Sequence, residues 1–329
     1  MKKELSICIP TYNRKKNLIH QLNSLIFQEG ASSVNIFVID NCSNYDVEKA
    51  INEAFDKEKI HNISIIRNKA NIGGSANIAS TFFHCNTSWM WLLGDDDESS
   101  PNSIKKILED INSYRDTTLL KYSIKGFYPY HNERVSNWHD FIKIYKSGEH
   151  STGDMIFMSN MVYNMEKLKP YLGNVFMRCS TRIAQLMPIF DALDNNDATI
   201  IFRDFPIVKY IFPEPSQHWS RINVEMGLSS ISKYHFNCSD EDFKWLSYIL
   251  IRNFTHEEII YKCKELPTRF KALYSYRTIY NDTLRYSPNM IDKIYYHAFC
   301  FQLKTGIKTY SLAYLLYHKY CRIRKIFHI

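Results

Sequence analysis

The sequence predicts an α/β fold on a mostly parallel sheet, followed by a helical region, and three observations carry that prediction. The first 125 residues alternate short apolar bursts with amphipathic stretches, the pattern of strands joined by covering helices. Most of these bursts are near-continuous runs, as expected of strands buried on both faces. From about Ile231 onward the apolar residues recur in long amphipathic runs, which predicts helices.

The elements follow in order. Leu5 to Pro10 forms a first strand, and residues 14–28 a helix in which Leu18, Leu22, Leu25 and Ile26 recur at helical spacing. Val34 to Ile39 is a second strand, residues 46–56 a second helix, and Ile63 to Arg67 a third strand. A helix over residues 75–84 leads to the strand Trp89 to Leu93. The next helix runs to about Ser113, with Pro101 in its first turn and Ser99 or Ser100 as cap. Residues 118–124 form another strand, and Met155 to Tyr163 reads as a strand beyond aromatic-rich loops. We therefore expect residues 1–125 to form the α/β half, 126–225 an extension of the same domain, and 226–329 a helical, basic C-terminal region.

Composition narrows the class. Of 329 residues, 45% are apolar and 23% charged, which a folded chain needs and a disordered one lacks. The eight cysteines are scattered without a CxxC pair, which reads as reduced thiols. No uncharged apolar run approaches the roughly 20 residues of a spanning helix, and the N-terminus does not read as a signal peptide. A cytoplasmic protein is expected. The net charge of +7 is concentrated: residues 301–329 hold Lys304, Lys308, Lys319, Arg322, Arg324 and Lys325 without one Asp or Glu, interleaved with apolar residues. That stretch suits an anionic membrane surface, or a solvated face of a packed helix. It accompanies no nucleic-acid recognition motif, and none is expected as a partner.

The chemistry gathers at strand ends. Asp95-Asp96-Asp97 follows the apolar Trp89-Met90-Trp91-Leu92-Leu93 and Gly94, placing three carboxylates just past a buried strand. Adjacent anions repel, and a hard divalent ion, Mn²⁺ or Mg²⁺, is their natural partner because it takes carboxylate oxygens and shares its other positions with phosphate. A solvated acidic turn before a helix is the plainer alternative. Asp40 closes the second strand and could accept hydrogen bonds from a base or ribose, or cap its loop. Pro10, Thr11, Tyr12, Asn13 and Arg14 close the first strand and would supply backbone contacts to the same nucleotide. Asn71 and Gly73 open the helix before the acidic strand, where small residues leave N–H groups for an anion. His218, in a Pro-rich loop with Trp219, could complete a metal or diphosphate site; a hydrogen-bonded loop histidine is the alternative.

In order and spacing, Ser6-Ile7-Cys8-Ile9-Pro10-Thr11-Tyr12-Asn13-Arg14, Val38-Ile39-Asp40-Asn41-Cys42-Ser43, Asn71-Ile72-Gly73-Gly74 and Leu92-Leu93-Gly94-Asp95-Asp96-Asp97 resemble the family 2 glycosyltransferases of the GT-A fold. Within that family the opening and the Gly-Asp-Asp-Asp run look most like bacterial O-antigen transferases of the abequosyltransferase kind. The resemblance covers residues 4–115. It implies a nucleotide-diphosphate sugar as donor, with UDP the first expectation. It implies that Pro10, Thr11 and Asp40 contact the nucleoside, and that Asp95 and Asp97 form a DXD metal site with Asp96 beside the cofactor. A glycan or lipid-linked saccharide is the implied acceptor.

One departure stands out. Inverting members carry an acidic pair whose carboxylate deprotonates the acceptor hydroxyl, but Arg178-Cys179-Ser180-Thr181-Arg182-Ile183-Ala184-Gln185 occupies that stretch without an acid. Asp154 becomes the leading base, a structural turn aspartate being its alternative, with Asp191 and Asp194 behind it. A noncatalytic nucleotide-binding accessory protein on the same fold, or a nucleotidyltransferase, remain the competing functions. The aromatic-rich C-terminal region also suits a second copy of the chain, so a homo-oligomer stays open.

Overall fold

The computed structural model describes residues 3–211, 221–252, 269–287 and 290–305. The chain divides into two compact units, Met1–His218 and Trp219–Ile329.

In the first unit β1 (Leu5–Thr11), β2 (Asn35–Asp40), β3 (Ile63–Arg67) and β4 (Trp89–Leu92) alternate with α1 (Lys15–Ile26), α2 (Val47–Ala54), α3 (Lys57–Ile60) and α4 (Gly74–His84). After β4 come β5 (Glu98–Ser99), α5 (Ser103–Ser113), β6 (Leu119–Lys125), β7 (Arg134–Val135), α6 (Trp138–Lys146), α7 (Thr152–Ile156), β8 (Met161–Asn164), α8 (Met165–Leu168), α9 (Met187–Asp194) and β9 (Ile200–Lys209). Together the strands form one sheet in the order β3-β2-β1-β4-β8-β6-β9-β5, with β7 also paired to β9. Strands β1 to β4 are mutually parallel; β8 runs against both β4 and β6, and β9 runs with β6. Hence β1, β2, β3, β4, β6 and β9 all point their carboxyl ends to one edge.

The apolar runs fold this way because they are covered on both faces. All seven residues of β1 are buried. On one side Leu5, Ile7, Ile9, Ile36, Val38, Trp89 and Trp91 pack with Leu18, Leu22 and Leu25 of α1 and Ile104, Ile107 and Ile111 of α5. A side chain such as Leu22, fully buried there, stabilises by about 1.5–3 kcal/mol. Elsewhere Phe82 of α4 meets Tyr163 of β8 edge-on at 5.1 Å.

Two sequence expectations change. Helix α5 starts at Ser103, after Asn102 in the left-handed region (φ 62°), not at Pro101. Ser99 and Ser100 do not cap it, because the returning β9 captures them: Ser99 pairs with Val208, and the Ser100 N–H donates to Ile207 O at 2.8 Å. The expected strand over 155–163 shrinks to Met161–Asn164. Its first two residues are taken by α7, which Ser151 caps by accepting the Asp154 N–H at 3.0 Å, and Met158–Asn160 form a 3-10 turn.

The second unit is helical where described, with helices Arg221–Ser229, Asp240–Ile249, Arg269–Asp282 and Met290–Thr305. Ser239 caps the second of these, and Asp240, Glu241 and Asp242 fill its first turn, where the helix dipole stabilises negative charge. No helix among the described residues is long and apolar enough to cross a membrane. Residues 306–329, which carry most of the basic stretch, lie outside the described residues, as does His218.

Candidate active site

The triple carboxylate sits where the sequence places it, directly past β4, and it is more buried than an acidic surface turn would be. Asp95 and Asp97 are each 3% exposed. Asp95 Oδ2 accepts from the Thr11 hydroxyl at 2.7 Å, and Asp95 Oδ1 from Arg14 Nη1 at 3.0 Å. The same guanidinium reaches Asp96 Oδ2 at 2.6 Å. Asp97 has no such cation among the described residues. It accepts from the Ser159 hydroxyl and from the Ile211 backbone N–H.

Ser159 is fixed by β4 itself. Its carbonyl accepts from Trp91 Nε1 at 2.7 Å and its hydroxyl accepts the Gly94 N–H at 2.8 Å. Gly94 must be glycine: a Cβ there would lie 2.8 Å from Asp97 Oδ2 and 3.1 Å from Ser159 Oγ. One cation among three carboxylates leaves negative charge uncompensated. Burial, opposed by Arg14, raises Asp95 to about 6, and burial followed by the charge of Asp96 raises Asp97 to about 8. Buried hard oxygen donors with undercompensated charge fit a divalent ion. No three metal-ligating side chains converge among the described residues, and such an ion can share its remaining positions with phosphate and water.

Beside this turn lies a cavity of about 600 Å³ lined by Asp40, Ser43, Asn44, Tyr45, Asp46, Val47, Glu48, Ile65 and Arg67. Asp40, expected to accept from a nucleoside, lines this cavity and is already engaged by neighbouring groups. Asp40 is fully buried, with Oδ1 accepting the Ser43 N–H at 2.9 Å and Oδ2 accepting from Arg67 Nη1 at 2.6 Å. The partly exposed group is Arg67, whose Nη2 also donates to Ser43 O at 2.6 Å. Tyr45 offers another contact: its hydroxyl is buried yet finds no partner among the described residues, and burial with the charges of Asp40 and Asp95 pushes it up to about 12. An unpaired buried hydroxyl costs free energy until a ligand meets it.

The flanking loops are rigidified by amides. The Asn13 N–H donates to Ser43 Oγ at 2.9 Å, and Asn13 Oδ1 accepts the Asn44 N–H at 2.7 Å. Pro10 is buried in β1 and paired with Ile39, while Tyr12 is 42% exposed. Asn71 Oδ1 accepts from Asn41 Nδ2 and from the Gly73 N–H, both at 2.8 Å, and Asn41 Oδ1 accepts the Ile72 N–H at 3.0 Å. The N–H groups of Ile72 and Gly73 are thus spent on side chains, and the anion contact expected of Gly73 is not offered in this arrangement.

Asp154 occupies a different setting, 5% exposed. Its Oδ2 accepts from Tyr130 Oη at 2.9 Å and lies 3.0 Å from His150 Nδ1, while Oδ1 accepts from Asn160 Nδ2 at 3.2 Å. Lys121 Nζ, buried beneath, donates to Asp154 O at 2.9 Å and Asn160 Oδ1 at 2.8 Å; burial lowers its pKa to about 8. These bonds tie Asp154 into the packing of the domain. Asp191 is bonded to Arg178, and Asp194 Oδ1 accepts from Trp138 Nε1 at 3.3 Å.

Comparison with known proteins agrees with this architecture. The family model of Glycosyl transferase family 2 matches residues 6–192. The chain belongs to that family. Among curated relatives, the abequosyltransferase of Salmonella typhimurium is 32% identical over 118 residues, 35% of this chain and 34% of that protein. An uncharacterized glycosyltransferase of Haemophilus influenzae is 30% identical over 107 residues, 32% of this chain and 34% of the relative. Each match therefore spans about a third of the relative's length. Among solved structures, S. aureus TarS 1-349 in complex with UDP-GlcNAc superposes with a TM-score of 0.62 at 14% identity, covering 96% of this chain and 92% of that one. The mannosyltransferase PcManGT of Pyrobaculum calidifontis, in complex with GDP-Man and Mn2+, superposes at 0.52 and 11% identity, covering 96% and 87%. At such identities the likeness establishes the fold, GT-A.

Arg67, Tyr45 and Ser159 were not singled out from the sequence, and Arg14 was read there only for backbone contacts, not as the cation of the acidic turn. Arg67 had a readable signal, since it ends a strand at the same edge as Thr11 and Asp40. Ser159 had none: it lies 62 residues beyond Asp97 and meets it only through the fold.

Proposed function

We propose that this family 2 chain is a metal-dependent glycosyltransferase that moves a sugar from a nucleotide-diphosphate donor to a glycan acceptor, lipid-linked, in bacterial surface-polysaccharide synthesis. The observation that carries this reading is the pairing of a cavity holding Arg67 and the unpartnered Tyr45 hydroxyl with an adjacent turn of buried, undercompensated carboxylates. Arg67 and Tyr45 would bind the nucleoside. Asp95 and Asp97 would hold Mn²⁺ or Mg²⁺, which when bound supplies charge neutralisation at the leaving diphosphate. Thr11 and Arg14 keep Asp95 oriented for that use, and Ser159 keeps Asp97. Asp154, the base suggested by the sequence, would serve only after its bonds to Tyr130 and His150 give way.

The Salmonella relative supports a surface-polysaccharide role, and the basic residues between 301 and 329 suit the inner face of an anionic membrane, where a lipid-linked acceptor would be met. A second reading, a noncatalytic nucleotide-binding protein, is favoured by the stretch Arg178 to Gln185, which has no acid. The deciding experiment is calorimetric titration with UDP, CDP, GDP and dTDP, each with Mn²⁺ and with chelator, followed by donor hydrolysis. Metal-dependent binding of one nucleotide with slow hydrolysis of its sugar supports the transferase. Binding without hydrolysis or transfer supports the second reading, and absence of binding to all four removes both.

A further inference from the structure

Six strands deliver their carboxyl ends to one edge, and the chemistry changes along it. At β1, β2 and β3 the residues are polar and interlocked, and past β4 stand the three carboxylates. Past β6 and β9 the edge becomes aromatic. Gly126, with φ +89°, turns the chain at the end of β6, a conformation that L side chains rarely adopt. Immediately after it, Phe127 and Tyr128 are 45% and 46% exposed. Tyr210 follows the end of β9, its ring edge-on to Phe127 at 6.4 Å and to Phe157 at 5.6 Å. Tyr128 is edge-on to His131 at 5.7 Å and to His150 at 5.5 Å.

Tyr210 brings the cluster to the acidic turn. Glu98 pairs with Lys209 across β5 and β9, and the Ile211 backbone N–H reaches Asp97. Burial raises the pKa of Tyr210, and the charges of Asp97 and Asp96 add to it.

We propose that Phe127, Tyr128 and Tyr210 form a stacking platform for a pyranose ring of the acceptor glycan. The proposal rests on the glycosyl-transfer reading and names the acceptor subsite within it. Large apolar rings left half in water beside a reactive turn lose that cost when a ligand covers them, and a pyranose has the matching surface: an apolar C–H face to lie on a ring and hydroxyls at its rim. The donor sugar is the alternative occupant. The acceptor fits better because it must come and go as part of a larger chain, and the platform is open while the nucleotide end is interlocked.

The test uses the full chain with UDP and Mn²⁺ and a panel of methyl pyranosides of gluco, galacto, manno and 6-deoxy configuration, observed by saturation-transfer NMR. Transfer is expected to the C–H face protons of at least one pyranoside. Phe127→Ala should weaken that pyranoside about three- to tenfold, with Phe127→Tyr restoring it. UDP affinity and nucleotide-sugar affinity, measured by calorimetry, should stay unchanged in both variants. The platform is overturned by absence of transfer from the whole panel, by undiminished transfer in Phe127→Ala, or by a Phe127→Ala loss confined to nucleotide-sugar affinity, which would assign the rings to the donor. Failure of wild-type nucleotide binding would instead remove the transferase reading, a separate readout.

Discussion

Two buried carboxylate clusters lie one residue apart along the turn at 158–160, and they behave in opposite ways. Ser159 donates to Asp97, and Asn160 donates to Asp154. Around Asp154 every neighbour is a partner: Tyr130, His150 and Asn160 on the carboxylate, Lys121 on the backbone carbonyl. Around Asp95, Asp96 and Asp97 one guanidinium serves two of three acids, and among the described residues Asp97 has only hydroxyl and amide donors. Burial alone therefore does not mark a site. Burial with unmet charge does, because such charge is costly unless a ligand compensates it.

The largest expected effect contrasts the two directly. Asp97→Asn should lower metal-dependent donor turnover by about 10³-fold, while the melting temperature changes little below about pH 8, since a neutral amide replaces a carboxyl that burial already keeps protonated there. Unchanged turnover would break the comparison. Next, Asp154→Ala should cost about 3 kcal/mol of stability, measured by denaturant unfolding, because it strands His150, Tyr130 and Asn160 without their acceptor. Asp154→Asn separates the roles: lost turnover with an unchanged melt would make Asp154 the base after all. Gly94→Ala should cost about 1–3 kcal/mol and weaken Mn²⁺ binding, as its Cβ intrudes on Asp97.

The smallest effect is a pH dependence. Folded Asp97 keeps its proton to about pH 8, whereas an unfolded aspartate releases it near 4. Between those values the folded state binds more protons, so this group's contribution to ligand-free stability falls as pH rises through about 8. Mn²⁺ requires the ionised form, so its affinity should rise with pH below about 8, by about tenfold per unit for one proton released. A flat calorimetric affinity between pH 6 and 8 would show that Asp97 is already ionised, and the contrast with Asp154 would lose its electrostatic basis.

Much of this arrangement was legible before folding. Apolar runs such as Ile7-Cys8-Ile9 and Phe37-Val38-Ile39 read as strands because burial on both faces demands near-continuous hydrophobicity, and Leu18, Leu22 and Leu25 read as a helix stripe by their spacing. The acidic run was legible because nothing apolar explains it. The region past Ile124 was not, because β8 is four residues long and α7 five, too short for any period to show.

By itself, then, the sequence determined the strand-helix alternation, the carboxyl edge and the three carboxylates on it, since these depend on local pattern and chain order. Only the tertiary structure decided which charges are paired. Arg67 takes Asp40, Arg14 takes Asp95 and Asp96, and Ser159 takes Asp97 across 27, 81, 82 and 62 residues of chain. A hydrogen bond depends on atoms a few ångströms apart in space, and separation in sequence carries no record of that distance.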